Sequence, residues 1–315
     1  MFKSIIVFII YFLSFLTSVV KSQNIVLDYS VNTALEVKAK LDSIKMNLAD
    51  SLFVYADSNL NIGELLMQSK LKYLLCSFPN ANLALNNIAN ATNIEELIIN
   101  SSDLIDTIPD FLEHLQKIRR IDIPISCTAQ NFEIICKLNS LSDLTLNEKK
   151  MCYSKILYML KELKSLKKLT LSLDRESLEA FYQVSKDLNI DELVIFSKYS
   201  IDLNRILLKK LLKLKITNAY DLDPNASLAF QESLLELDIN HFARRSAFDI
   251  LYVFPHLVTV KVSLANLNFE KLDCNKIKGK LNITLGYGNL HKFRKETICC
   301  KNIAMYIEPN PWMRH

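Results

Sequence analysis

Between Leu71 and Val262 one short pattern, apolar-x-x-apolar-x-apolar, returns nine times. The copies begin at Leu71, Ile94, Ile118, Leu141, Leu166, Ile190, Leu211, Leu234 and Leu257, at intervals of 21 to 25 residues. One such triplet arises by chance in any apolar chain; nine at near-constant spacing do not. A period of this size marks a stack of like units, each burying the apolar side of its neighbour. Within a copy the apolar residues alternate with polar ones, as in a strand with one buried face. Leu166-x-x-Leu169-x-Leu171, Ile190-x-x-Leu193-x-Ile195 and Leu211-x-x-Leu214-x-Ile216 are the clearest. Between copies the spacing turns helical. Leu104, Ile108, Phe111, Leu112 and Leu115 make one stripe, Ile156, Leu157, Leu160 and Leu163 a second, and Leu178, Phe181, Val184 and Leu188 a third. Ser177, Ser200 and Ser246 stand before apolar runs and mark helix starts.

These triplets resemble the core of the leucine-rich repeat family, Leu-x-x-Leu-x-Leu. The likeness runs from Ala49 to about Tyr306 when three weaker copies are admitted: Ala49-x-x-Leu52-x-Val54, Lys278-x-x-Leu281-x-Ile283 and Cys300-x-x-Ile303-x-Met305. The resemblance implies an α/β leucine-rich-repeat solenoid, a curved horseshoe with a parallel β-sheet on the concave face and helices on the convex face. It also implies binding of a protein partner rather than catalysis. The sequence departs from the family at the place where an Asn often ties successive turns. Here that place holds Pro79, Ser102, Ser126, Lys149, Asp174, Lys198, Ala219, Phe242 and Ala265. Irregular turns are the consequence expected. The organisation read from the chain is a leader over 1–22, an amino-terminal cap over 23–48, the solenoid over 49–298, and a last partial repeat with a carboxy-terminal cap over 299–315. In the amino-terminal cap Ile25–Tyr29 reads as extended and Asn32–Met46 as an amphipathic helix.

Residues 1–22 have the make-up of a secretory signal peptide: Lys3, an apolar run from Ser4 to Val20, and a small-residue site ending at Ser22. The run is about 17 residues, at the lower edge of a membrane span, so an uncleaved membrane anchor is the competing reading. Cleavage gives a secreted, extracellular protein with no membrane association. An uncleaved or misread segment gives a membrane-anchored or intracellular adaptor or structural scaffold.

In the solenoid geometry the third, fifth and seventh residues of each copy face away from the core. Phe53, Tyr55, Tyr73, Leu75 and Ile98 then form an aromatic and apolar patch near the amino terminus. Rigid aromatics are favoured binding anchors; the alternative is that the amino-terminal helix packs over them. Farther along, the same positions become charged, with Lys168, Glu192, Lys213, Lys215, Glu236, Asp238 and Lys261. Strand spacing of about 4.8 Å makes Lys213 a neighbour of Glu236, and lines up Lys215, Asp238 and Lys261. A lateral ion-pair ladder is one reading and a mixed-charge protein-binding surface the other. With 38 basic and 34 acidic residues and a net charge of +4, no face of single sign is expected, which argues against nucleic acid.

The sequence offers no enzyme signature. Five His stand far apart, with no paired spacing for zinc, and no nucleophile elbow or phosphate loop occurs among only 4 Gly. No metal or cofactor is expected. His241, with Arg244 and Arg245 near Asp238, reads as a surface loop. Seven cysteines are an odd number. Cys76 and Cys300 fall on core positions, and Cys274 and Cys299, about one repeat apart, are a candidate disulfide at the carboxy-terminal end, with Cys300 a competing partner. Asn90, Asn100, Asn225 and Asn282 each open an Asn-x-Ser/Thr triplet, the N-glycosylation acceptor pattern, of which at most two are expected to be used. The function expected is a secreted, non-catalytic protein-binding scaffold, host-directed in one version.

Overall fold

The computed structural model describes residues 23–28, 42, 49–55, 70–77, 88, 91–126, 128–146, 154–219, 227–242, 248–262, 273, 275, 277, 280–285 and 303–307. The chain forms two compact units, Met1–Ile125 and Ser126–His315. In the first, strands β1 (Gln23–Asp28), β2 (Ala49–Tyr55), β3 (Tyr73–Ser77), β4 (Glu96–Asn100) and β5 (Arg120–Asp122) follow one another in chain order. Each pairs in parallel with the next. The second unit repeats the plan with β6 (Asp143–Leu146), β7 (Lys168–Ser172), β8 (Glu192–Phe196), β9 (Lys213–Ala219), β10 (Glu236–Phe242), β11 (Thr259–Val262), β12 (Leu281–Leu285) and β13 (Ile303–Ile307), again parallel and in chain order. Within each unit, one strand per repeat beside the strands of its neighbouring repeats is the plan of a leucine-rich-repeat solenoid.

The register explains why the triplets have their form. Leu169, Leu193 and Leu214 are cross-strand neighbours, as are Leu171, Ile195 and Ile216. Every described side chain of the nine triplets is buried, Leu257 being the most exposed at 6%. Each such Leu or Ile contributes about 1.5–3 kcal/mol by leaving water. Between copies, Phe230 and Phe254 stack with ring centroids 6.0 Å apart and fill the space behind the strands of adjacent repeats. The ladder also runs one residue ahead of the strands: the amide of Glu95 donates to Lys72, that of Arg119 to Glu95, that of Asp191 to Lys167 and that of Val258 to Leu235.

The connections are less uniform than the strands. The second unit has helices α1 (Ala129–Cys136), α2 (Ser154–Met159, continued by a 3-10 turn to Glu162), α3 (Arg175–Ser185) and α4 (Phe248–Val253). Thr128 caps α1 by accepting from the Asn131 amide, and Asp174 caps α3 by accepting from Ser177 at 2.8 Å. Such a cap is worth about 1 kcal/mol. Ser177, read from sequence as a helix start, is a buried residue one turn inside α3. The expected stripe from Leu104 to Leu115 is not a helix: it forms only a 3-10 turn at Asp110–His114. Pro109 explains this, since a proline biases the residue before it away from helical geometry and cannot donate within one.

Among the described residues no asparagine ladder binds the turns. Serine hydroxyls do part of that work instead. Ser185, wholly buried, donates to the Tyr182 carbonyl at 2.8 Å and accepts from the Leu207 amide of the next repeat at 2.9 Å. Ser233, half-buried, accepts from the Leu211 amide at 2.9 Å and donates back to the Leu211 carbonyl at 3.0 Å. The Ala49 copy is in the expected register, Leu52 beside Leu74 and Val54 beside Cys76. The last two copies are not. Val260 pairs with Ile283 and Val262 with Leu285, so the aligned triplet begins at Lys280, two residues beyond Lys278. The same two-residue offset passes to β13, where Ile283 meets Met305 and Leu285 meets Ile307.

Candidate functional site

Because successive strand residues alternate sides, burying the triplets leaves the third, fifth and seventh residues of each copy on the opposite, open face. In the first unit these positions gather the predicted patch. Phe53, Leu75 and Ile98 are consecutive neighbours in one cross-strand row, half-buried. Tyr73 flanks the row on one side and Tyr55 on the other, exposed to 36% and 40%. On the other side of β2, Val26 of β1 is in backbone register with Phe53. All five sequence-predicted residues thus share one face within three adjacent strands. The helix expected to close the front, Asn32–Met46, lies outside the described residues apart from Asp42. Toward β5 the face turns polar, with Arg120 paired to Glu96 at 3.5 Å.

The open face of the second unit is built differently. Its third-position row reads Asp143, Lys168, Glu192, Lys213, Glu236, five charges of alternating sign on successive strands. Lys168 lies 3.6 Å from Asp143 and 3.4 Å from Glu192, and Lys213 lies 3.0 Å from Glu236. The Glu236 carboxylate, hydrogen-bonded to Lys213, raises that ammonium's pKa above its ordinary value. In the fifth-position row Lys215 meets Asp238 at 3.5 Å, with Lys261 the next in register. The predicted ladder is present, and Asp143 extends it by one strand. Asp143 carries the same signal as the others, third residue of the Leu141 copy, and was missed. Between the two rows lies a shallow depression of about 230 Å³ across β8 to β11, with Val194 and Thr259 among its walls. Its lining carries three lysines and three carboxylates, so it has no net sign.

The remaining candidates are scattered. Cys76 is fully buried in the first unit's core, as its triplet position requires, and burial pushes its thiol pKa up to about 12. Cys136 is half-buried; burial, followed by the Glu162 and Glu133 charges, pushes it up to about 11. Both are free thiols. Cys274 and Cys299, the candidate disulfide, lie outside the described residues, as do Cys300, Asn90, Asn225 and the whole of 1–22. Asn100 ends β4 and is exposed, whereas Asn282 is half-buried within β12 between Thr259 and Ala304. His241 is part of β10, in register with Asn218, and not of a loop. Among the described residues no group of three or more His, Cys, Asp or Glu is disposed to hold a metal ion. Nor is any described helix long and apolar enough to cross a membrane.

On the helix side, a polar clamp joins two repeats. Arg205 forks onto Glu179 of α3, with its first nitrogen 2.7 Å from a carboxylate oxygen, and its guanidinium lies 4.3 Å above the Tyr182 ring. The Tyr182 hydroxyl accepts from the Asp202 amide at 2.8 Å. Each partner is engaged within the clamp, which reads as structural.

No protein-family model and no curated protein matches this sequence. Among solved structures the chain is similar to an internalin of Listeria monocytogenes, at 13% identity and a TM-score of 0.43, over 86% of this chain and 84% of that one. It is also similar to a leucine-rich-repeat protein of Leptospira interrogans, at 15% identity and a TM-score of 0.39, over 87% and 82%. The solenoid assignment stands on the strand register of the chain itself.

Proposed function

We propose that the protein is an exported, non-catalytic scaffold that docks a folded protein partner on the open face of its first unit. The observation that carries this reading is the contrast between the two faces. Phe53, Leu75 and Ile98 form an unbroken apolar row flanked by two exposed tyrosines. The charges of the second face are paired among themselves, and exposed pairs of that kind add little to association, roughly 0–1 kcal/mol each. A rigid sheet presents its anchors with little ordering cost on binding, which favours affinity, and Tyr side chains are enriched among residues that dominate interfaces. The make-up of residues 1–22, a leading Lys3 and an apolar run from Ser4 to Val20, supports the export part of this reading, of which a host-directed role is one version.

The test has two arms. The amino terminus of the mature protein is sequenced by mass spectrometry: a start at Gln23 supports export, and an intact 1–22 segment replaces it with the anchored adaptor. The full chain, wild type and Tyr73→Ala, is then used to capture partners under identical conditions. A partner bound through this patch is weakened on the order of tenfold or more by loss of one anchor. A captured partner indifferent to Tyr73→Ala and to Leu75→Asp, but lost on Lys213→Glu, moves the site to the second unit.

A further inference from the structure

We infer that Asn100 is an N-linked glycan acceptor and that Asn282 is not, so that a sugar chain marks one border of the aromatic face. The inference rests on the proposed export of the chain. Asn100, Ser101 and Ser102 complete the acceptor triplet where β4 gives way to a turn. The Asn100 and Ser102 side chains are both exposed. The turn is shaped locally, the Ser101 hydroxyl accepting from the Asp103 amide at 3.1 Å. Nothing about the folded backbone has to change to carry a bulky substituent there. Asn282 has the same triplet chemistry in a different place. It is half-buried in mid-strand, its backbone amide donates to the Val258 carbonyl at 2.9 Å, and strands lie on both sides of it. Its triplet hydroxyl, Thr284, is half-buried in the same strand. A glycan rooted at Asn282 has to leave from mid-strand, between Thr259 of β11 and Ala304 of β13, rather than from a strand end.

The reaction is transfer from a lipid-diphosphate-linked oligosaccharide of the export compartment. The Asn100 Nδ2–sugar C1 bond forms as the C1–oxygen bond to the diphosphate breaks. The lipid diphosphate leaves with the bonding electrons, and the amide loses one proton. The position also bears on docking. Asn100 is in register with Ser77, and Ser77 with Tyr55. Two strand spacings, about 10 Å, therefore separate the glycan root from an exposed anchor of the patch. The sugar chain limits approach from the polar side and leaves the Phe53–Leu75–Ile98 row open from the other.

The experiment expresses the full chain in a eukaryotic secretory host, once with its own leader and once with a foreign one. Glycans are released by an amidase in heavy-oxygen water, which converts each occupied Asn to a heavy Asp that peptide mapping locates. The expected result is heavy Asp at 100 and unmodified Asn at 282, with Asn100→Gln removing the corresponding gel shift. Failure of export with the native leader alone counts against the proposed function and leaves the foreign-leader sample to decide the site. Unmodified Asn100 in exported protein, or occupancy of Asn282, overturns the inference. A second readout is nitration of Tyr55, which is slower in the glycosylated protein than in Asn100→Gln; equal rates remove the bordering role.

Discussion

Leu193→Ala tests how the repeats are held. Leu193 is wholly buried in β8, between Leu169 and Leu214 in the same cross-strand row. Truncation removes most of the side chain from a site closed on both sides by neighbouring repeats, so the cavity cannot collapse freely. The expected loss is about 2–5 kcal/mol. With a urea dependence of about 1–3 kcal/mol per M, a loss near 3 kcal/mol lowers the unfolding midpoint by about 1 M or more. Val194→Ala is the internal control. Val194 is the next residue, but it stands half-exposed on the open face beside Thr170 and Lys215, and its truncation shifts the midpoint by less than half as much. Midpoints are read from urea titrations followed by circular dichroism. Equal shifts for the two variants, or a larger one for Val194→Ala, refute the in-and-out assignment on which the description of both faces depends.

Three further outcomes are expected. Ser185→Ala removes the hydroxyl that accepts from the part-buried Leu207 amide and destabilises the second unit by about 1 kcal/mol, measured by the same titration; Ser185→Thr, which keeps the hydroxyl, restores part of it. Lys168→Ala removes a cation shared by Asp143 and Glu192, on a half-exposed face where solvent screening holds the loss to about 1 kcal/mol or less, and the difference from wild type fades at 1 M salt. Cys76 keeps its proton to about pH 12 when folded, against about 9 for an ordinary thiol; the folded state therefore binds the extra proton between those values, and stability falls as pH rises through that window. In practice Cys76 reacts with a thiol reagent at pH 8 at a rate set by unfolding, and rapid labelling in the native protein, located by peptide mapping, contradicts its burial.

The repeat was legible because burial of one strand face by its neighbours forces a spacing that single residues display. The same rule puts Lys213 beside Glu236 and Leu75 beside Ile98, as the strand register does. It failed where the pattern carries no unique phase. Leu281, Ile283 and Leu285 alternate, as do Ile303, Met305 and Ile307, and a slip of two residues leaves every side chain on its proper face. In β12, Leu281 and Ile283 are buried as the alternation requires, but alternation alone does not choose a strand's partners. The stripe from Leu104 to Leu115 had helical spacing, yet Pro109 decided the backbone. Ser185 and Ser233 were invisible for another reason: their partners Leu207 and Leu211 lie 22 residues away, a relation that exists only once the turns are stacked. The patch could be placed by position, but what touches it is a property of a second molecule.

The most direct measurement of in-register stacking is a pair of double-cysteine variants with the cross-links mapped by mass spectrometry. Thr170 and Val194 are cross-strand partners, and Cα atoms about 4.8 Å apart suit a disulfide. Thr170 and Lys215 stand two strands apart, about 10 Å, beyond its reach. The solenoid predicts oxidation of Thr170→Cys/Val194→Cys to a single mapped bridge and none for Thr170→Cys/Lys215→Cys under the same conditions. A bridge in the second variant and not in the first contradicts it.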